Sequence, residues 1–145
     1  MESIPPFELG RGDIVDIDHA TITELNSQLI AFNENAVGEE NPSPISLGIF
    51  RDGLLVAAVS GEMSWGCLYV ASMFVHPEYR HYGLGAQLLD EIENRAIQQG
   101  CSMAFLDTFT FQAVEFYVRR GYQEFGRLEG YPPGHARVYL SKPLV

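Results

Sequence analysis

The sequence predicts a mixed α/β domain whose central sheet is mostly antiparallel and includes one parallel β-α-β crossover. Three observations favour this fold class. The chain has 145 residues, which suits a single domain. Hydrophobic residues make up 46% of it and aromatic residues 12%, enough for a core that needs neither disulfides nor a metal. Strand-like and helix-like apolar patterns alternate along the chain, which gives the order β-α-loop-β-β-β-α-β-α-β-β.

The first predicted elements are a short strand, a helix and an acidic loop. Residues 14–18 have the β-branched composition of a strand. Residues 21–32 carry apolar side chains at helical spacing. Residues 33–44 are acidic and contain two prolines, so we expect a surface loop there.

The next three elements are predicted to form an antiparallel meander. Residues 45–50 and 54–63 are apolar runs separated by Arg51-Asp52-Gly53. An Asp-Gly pair between two such runs is a strong hairpin signal. Trp65-Gly66 indicates another turn, and residues 67–75 are predicted as the third strand.

The remaining elements alternate between helix and strand. Residues 83–99 form the clearest helix, because apolar residues recur every four positions and Gly100 follows the last turn. A buried strand, a second helix and two closing strands follow, at residues 103–107, 112–120, 123–128 and 137–141. A helix between residues 67–75 and 103–107 implies that those two strands run parallel.

Charge and cysteine content narrow the class of function. Lys and Arg number 9 and Asp and Glu number 19, a net charge of −10 that argues against nucleic-acid and anionic-membrane binding. The chain has no apolar run of about 18 residues, and its N-terminus does not resemble a secretory leader. We therefore expect a cytoplasmic protein in which Cys67 and Cys101 are reduced, with a disulfide between them left open.

Residues 75–86, VHPEYRHYGLGA, contain the features that point to a ligand. A strand ends there, and Arg80, Gly83 and Gly85 lead into the clearest helix. Glycines let a ligand approach the backbone, and a helix start offers free N–H groups with partial positive charge. This combination predicts a site for phosphate or pyrophosphate. A dinucleotide-binding loop does not fit, because Leu88 stands where its third glycine would be.

The pattern V-x-P-x-x-R-x-x-G-x-G-A at residues 75–86 resembles the acetyl-CoA-binding signature of the GNAT superfamily of N-acyltransferases. The segment AVEFYVRRGY at residues 113–122 is similar to the family's second motif, A-x-x-x-Y-x-x-x-G-[FY]. The order of predicted elements also resembles that family, and LDTFTFQA and YPPGH resemble a bacterial subgroup of it. The resemblance implies a single N-acetyltransferase domain over residues 1–145.

The resemblance also implies where acetyl-CoA binds. The end of the third predicted strand would hold the pantetheine arm and polarise the thioester carbonyl, through Met73, Phe74 and Val75. The loop and helix start would carry the pyrophosphate, through Arg80, His81, Tyr82, Gly83, Leu84, Gly85 and Ala86. Thr110 stands where the family often has Asn, which is a departure from the family pattern. The CoA contact of that position is assigned to Thr110, with Gln112 as the alternative. No metal is expected, since the histidines lack ligand spacing.

Tyr117 matches the family's general acid, which would protonate the leaving CoA thiolate; otherwise it is a core tyrosine. The general base is less clear, because the strand at residues 67–75 contains no acid. Glu62 on the preceding strand is the first candidate, and Asp107 and His135 are alternatives. A water chain or an amine that is already neutral is a further alternative.

The function expected from the resemblance is direct acetyl transfer from acetyl-CoA to a primary amine of a small molecule, in a ternary complex. The acceptor site is expected to include the first predicted helix, the acidic loop and Glu62. An ammonium group would bind Glu129, Tyr131 and His135 of the segment EGYPPGH by charge and cation–π attraction. A homodimer is compatible with the family. The alternatives are a non-catalytic CoA-binding sensor or regulatory module, and an interaction protein that binds basic tails.

Overall fold

The computed structural model describes residue 3 and residues 10–145. Contacts divide the chain into two compact units, residues 1–39 and 40–145, so the single domain expected over the whole chain stays a prediction. The expectation about a secretory leader falls partly on residues 1, 2 and 4–9, which lie outside the described residues. No helix in the described part is both long and apolar enough to cross a membrane.

The first unit contains helix α1, His19–Val37, which has defined caps at both ends. The Asp18 side chain accepts a hydrogen bond from the Thr21 N–H at 2.8 Å, and this N-cap stabilises the first turn. The hydrogen bonds from Thr21 lower the pKa of Asp18. At the other end Gly38 adopts φ 97° and its N–H donates to the Glu34 carbonyl at 2.8 Å.

Two predictions for this part of the chain are wrong. Residues 14–18 form no strand, and Ile14 is fully exposed. β-Branched composition is not sufficient for a strand, which also needs a partner for its hydrogen bonds. Asp18 serves as the cap of α1 instead. Residues 33–37, predicted as part of the loop, continue α1, because the helix is ended by Gly38 and not by the later prolines.

The second unit is built on a sheet of six strands in the order β1-β2-β3-β4-β6-β5, all within residues 40–145. The strands are β1 Ser43–Arg51, β2 Leu54–Ser64, β3 Cys67–Val75, β4 Met103–Phe109, β5 Gln123–Glu129 and β6 Ala136–Pro143. The helices are α2 Leu84–Gln98 and α3 Val114–Arg119, with a 3-10 turn at Pro77–Tyr79. Strands β3 and β4 run parallel and every other pair is antiparallel. The predicted mixed α/β class with one parallel crossover is confirmed.

One face of this sheet forms the core with α2. Successive residues of β4 and β6 alternate between buried and partly exposed, as expected where one face is covered. The sheet contributes Val59, Leu68, Val70, Ala104, Leu106, Val138 and Leu140 to the core, and α2 contributes Leu84, Leu88, Leu89, Ile92 and Ala96. Alternation places Tyr69, Phe105, Asp107, Arg137 and Tyr139 on the opposite face.

Candidate active site

Strands β3 and β4 separate part of the way along their length. Their parallel pairing ends at Val70 opposite Leu106. Beyond that point β3 stays paired with β2 as far as Val75, and β4 stays paired with β6 as far as Phe109. The edge of β3 that faces β4 therefore has no strand partner over residues 71–75.

A β-bulge in β3 lies where the two strands part. Ser60 of β2 is opposite Ser72, but the next residue, Gly61, is opposite Val70, so Ala71 is the extra residue. A bulge bends its strand and increases its twist, which turns β3 away from β4. Gly61 permits this arrangement, since a Cβ atom there would lie 2.4 Å from the Tyr69 carbonyl oxygen.

The separation opens a cavity of about 780 Å³, a volume within the usual range for small-molecule sites. Its walls come from both strands, from the loop before α2 and from the start of α3. The lining residues are Val70, Ala71, Ser72, Met73, Phe74, Val75, Arg80, His81, Gly85, Leu106, Asp107, Thr108, Phe111, Gln112, Ala113, Phe116 and Tyr117.

One end of the cavity carries the features of an anion site. Helix α2 begins after Gly83, which adopts φ 82° and provides no side-chain cap. The first N–H groups of α2 are therefore left for a ligand. Arg80 donates from Nε to the Val75 carbonyl at 2.9 Å, and its guanidinium lies 5.6 Å from the Phe74 ring. These contacts hold the cation beside the helix start.

Tyr117 of α3 is buried, with 7% of its surface exposed, and it borders the cavity. Its ring packs edge-on against Phe116 at 5.1 Å and Tyr122 at 5.8 Å between centroids. The hydroxyl group has no hydrogen-bond partner among the described residues. Burial raises the pKa of Tyr117, which favours the protonated form that a general acid requires.

The structure separates the three candidate bases. Glu62 is exposed on β2 and does not line the cavity. Asp107 does line it, but Oδ2 accepts from the Tyr69 hydroxyl at 3.0 Å and Oδ1 accepts from Arg137 Nε at 2.7 Å. His135 is exposed and packs edge-on against the Phe111 ring at 5.0 Å.

A second, smaller cavity of about 390 Å³ brings Thr110, Glu129 and His135 together. The Thr110 hydroxyl lies 3.5 Å from His135 Nδ1 and accepts from the Ala136 N–H at 3.0 Å. Glu129 lies 3.5 Å from Arg127 Nη1. Thr110 therefore lines the smaller cavity together with two of the residues expected on the acceptor side, and it is not among the residues that line the large cavity.

The Tyr131 ring, expected to receive an ammonium group, already has a cation nearby. The Arg137 guanidinium lies 5.8 Å from its centroid. An ammonium on that ring would therefore experience repulsion from the guanidinium. The ammonium-binding role of Tyr131 and Glu129 stays a prediction, and each already has a cationic neighbour within the chain.

Of the predicted site residues and their stated alternatives, nine line the large cavity: Met73, Phe74, Val75, Arg80, His81, Gly85, Asp107, Gln112 and Tyr117. Gly83 and Ala86 contribute the backbone of the α2 start, whereas the Leu84 side chain belongs to the core and Tyr82 is exposed. The predicted residues outside the large cavity also include Glu62, Thr110, Glu129, Tyr131 and His135.

Several lining residues were not predicted from the sequence. Phe111 is one of them, and Gln112, named from the sequence only as the alternative to Thr110, lines the cavity where Thr110 does not. Gln112 Oε1 accepts from the Phe109 N–H at 2.9 Å, so it also fixes the turn into α3. Ser72 follows the bulge, and its hydroxyl lies 2.6 Å from that of Ser60. No sequence signal indicates the bulge apart from Gly61 itself.

Cys67 and Cys101 are both free thiols, and burial raises the pKa of each. The disulfide left open by the sequence is therefore not formed in this structure. Over residue 3 and residues 10–145, no three His, Cys, Asp or Glu side chains cluster as metal ligands would.

Comparison with known proteins gives a consistent relationship. The family model described as the acetyltransferase (GNAT) family matches residues 15–122. Blasticidin-S acetyltransferase of Streptomyces morookaense is 36% identical over 124 residues, covering 83% of this chain and 91% of the relative. An acetyltransferase of Agrobacterium fabrum is 29% identical over 119 residues, covering 81% and 87%. A crystal structure of an acetyltransferase from Bacillus cereus matches with a TM-score of 0.87 and 31% identity, covering 91% and 97%.

The chain belongs to the GNAT family of acetyltransferases. The resemblance inferred from the motifs at residues 75–86 and 113–122 is confirmed. The protein is accordingly an enzyme of the acetyltransferase class, and acyl transfer is the reaction to which its fold is suited.

Proposed function

We propose that this enzyme transfers the acetyl group of acetyl-CoA to a primary amine of a small molecule, by direct transfer in a ternary complex. The observation that carries the proposal is the opening between β3 and β4 with the buried Tyr117 on its border. The relative named blasticidin-S acetyltransferase supports a small-molecule acceptor. The GNAT family match supports acetyl-CoA as the donor.

The residues around the large cavity fit acetyl-CoA. Backbone groups on the unpaired edge of β3, at residues 71–74, suit the amides of a pantetheine arm, which can hydrogen-bond along a strand edge. The α2 start and Arg80 suit the pyrophosphate. Bound there, acetyl-CoA supplies the activated acetyl group.

In the reaction, Tyr117 acts as the general acid. The amine nitrogen forms a bond to the acetyl carbon, the carbon–sulfur bond breaks, and the sulfur leaves with the electron pair. The Tyr117 hydroxyl gives its proton to that sulfur. Backbone N–H groups near Met73 and Phe74 hold the carbonyl oxygen and stabilise the negative charge that develops on it.

We propose that Glu62 is the general base and acts through intervening water, because it lies outside the cavity. Asp107 is the poorer choice, because it is held in an ion pair with Arg137 and taking up a proton would remove the negative charge which that pair requires. Glu62→Gln should lower kcat by about tenfold or more near pH 7, and the loss should shrink as the pH approaches the pKa of the amine. An equal loss at every pH would assign Glu62 a structural role.

The experiment that tests this function is a screen of primary amines with acetyl-CoA, read by thiol release and by mass spectrometry of the product. We expect an amine-dependent release of CoA with one acetyl group gained on nitrogen. Tight CoA binding without acetylation of any amine would favour the alternative, a CoA-binding sensor. Acetylation of a hydroxyl group alone would contradict the N-transfer proposal.

A further inference from the structure

Arg137 of β6 carries an ion pair enclosed by aromatic rings on the sheet face opposite α2. Its Nε donates to Asp107 Oδ1 at 2.7 Å, and Nη2 lies 2.6 Å from the same oxygen. The guanidinium carbon lies 5.7 Å from the Phe109 ring centroid, 5.8 Å from that of Tyr131 and 5.6 Å from that of Tyr139. The cation is therefore held in one orientation by three rings and a carboxylate.

This guanidinium has hydrogen-bond donors to spare. An arginine offers five N–H groups, and the contacts with Asp107 involve only Nε and Nη2. Among the described residues, Nη1 has no acceptor. The Arg137 side chain keeps 28% of its surface exposed, so the side chain is accessible to a small molecule. A planar guanidinium with a free edge matches a carboxylate better than an ammonium point charge would.

The ion pair adjoins the large cavity on two sides. Asp107 lines the cavity directly. Phe111 also lines it and stacks on Phe109 with 5.3 Å between ring centroids, and Phe109 in turn faces Arg137. Asp107 has about four lone-pair positions and accepts from Arg137 and from the Tyr69 hydroxyl, which leaves room for an N–H donor from the cavity.

We propose that Asp107 and Arg137 together bind an acceptor that carries a carboxylate next to its amine, of which an α-amino acid is the simplest example. The inference rests on the proposed acetyl transfer and names its substrate class. The amine nitrogen lies at Asp107, on the cavity side, and the carboxylate lies at the free edge of Arg137. The Phe109, Phe111 and Tyr131 rings provide flat apolar surface for the rest of the molecule.

Charge favours such a zwitterion over a polycation. The Asp107–Arg137 pair is neutral as a unit, so it offers no net attraction to a multiply charged cation. The pair presents both signs side by side, which complements an ammonium and a carboxylate separated by one carbon.

The test is calorimetric binding of N-acetyl amino acids, the products of such a reaction, to the CoA-loaded protein. N-acetylalanine and N-acetylphenylalanine are compared with their carboxamides, which lack only the carboxylate charge. We expect at least one acid to bind about 10- to 100-fold more tightly than its amide, the usual range for a charged hydrogen bond. Equal affinity of acid and amide in both pairs would overturn the proposal without any mutation.

Arg137→Gln should remove the preference for the acid and leave the affinity for CoA unchanged. Arg127→Gln is the matched control. Arg127 is an exposed arginine of β5, the strand next to β6, and it pairs with Glu124 and Glu129 of the same strand. The control should keep the preference. If Arg137→Gln does not fold, Arg137→Lys replaces it, since it keeps the charge and loses the planar fork. A preference for the acid that survives in the folded Arg137 variant would overturn the proposal.

Binding and turnover separate this inference from the function on which it rests. Acids that bind through Arg137, with no amine acetylated, would overturn the proposed acetyl transfer and support the carboxylate site. Acetylation of simple amines and of amino acid amides as efficiently as of free amino acids would overturn the carboxylate site and support acetyl transfer.

Discussion

The Tyr117 hydroxyl borders the cavity, while its ring is enclosed by Phe116 and Tyr122. Tyr117→Phe keeps those ring contacts and removes only the proton donor. We expect kcat to fall by about 10²–10⁴-fold with the Kd for acetyl-CoA unchanged. Steady-state kinetics and calorimetry measure the two quantities. Full turnover by a folded Phe variant would make Tyr117 a packing residue.

Tyr122→Phe is the matched control for that change. It also removes a tyrosine hydroxyl, but this hydroxyl donates to the buried Glu93 at 2.8 Å and does not border the cavity. The free energy of unfolding should fall, because Glu93 loses a hydrogen bond. The value of kcat should stay within about twofold of that of the unaltered enzyme, since the Tyr122 hydroxyl contacts no reacting atom.

The pH dependence of kcat follows from the same tyrosine. Burial raises the pKa of Tyr117 above its usual value of about 10, and the protonated form is the active one. Rising pH removes activity only when the hydroxyl ionises, so kcat should show no loss from this group between about pH 7 and pH 10. A descending limb centred below pH 9 that disappears in Tyr117→Phe would contradict this assignment.

At the scale of elements, the bend in β3 depends on the close approach of β2 at Gly61. Gly61→Ala places a Cβ atom 2.4 Å from the Tyr69 carbonyl oxygen, so the bulge has to shift. We expect a loss of about 1–3 kcal/mol in the free energy of unfolding, together with weaker CoA binding. Urea denaturation and calorimetry measure the two effects.

Gly126→Ala on β5 is the control, because its new Cβ would meet only the Tyr139 Cβ at 3.9 Å. This is an ordinary contact, so stability should stay within about 0.5 kcal/mol. If Gly61→Ala were as stable as this control and bound CoA normally, the bulge would not determine the opening.

The elements of the second unit could be predicted because their signals are local. The bounds of β3 in the structure equal the predicted bounds at both ends, and the hairpin between β1 and β2 follows from Asp52-Gly53. Residues 14–18 failed as a strand because composition does not reveal whether a pairing partner exists. The prediction made α1 too short at its C-terminal end. The helix continues through the polar residues 33–35 and ends before Gly38.

The sequence predicted those residues of the candidate site that lie within a short contiguous motif. The α2 start and Tyr117 each lie in a contiguous motif, and both appear at the cavity. Arg137 acquires its surroundings from Phe109, Tyr131 and Tyr139, which come together only through the pairing of β4, β5 and β6. Long-range pairing of this kind leaves no local pattern in the sequence.

At the scale of the whole molecule, a buried polar network connects α2 with two residues near the C-terminal end of the sequence, Tyr122 and Lys142 of β6. Glu93 is 6% exposed, and it accepts from the Tyr122 hydroxyl at 2.8 Å and from Lys142 Nζ at 2.7 Å. Burial and the Glu93 carboxylate raise the pKa of Tyr122, so it stays a donor. Both acidic oxygens are satisfied only in the folded chain.

Lys142→Met should therefore destabilise the protein by about 1–3 kcal/mol, because it leaves one buried carboxylate oxygen without its partner. This expected loss of stability is smaller than the loss from breaking a fully buried ion pair, since the Lys142 side chain is 24% exposed. Arg95→Met is the control, because its pair with Glu91 is half exposed and should contribute less than about 1 kcal/mol. Equal losses in urea denaturation would contradict the role of burial.

Hydrogen exchange measured by mass spectrometry, with and without saturating CoA, tests the proposed binding site most directly. The unpaired edge of β3 and the start of α2 carry backbone N–H groups that the ligand should cover. We predict slower exchange at residues 72–75 and 84–86 when CoA is bound. Slower exchange confined to residues 127–136, around the smaller cavity, would contradict the placement of acetyl-CoA between β3 and β4.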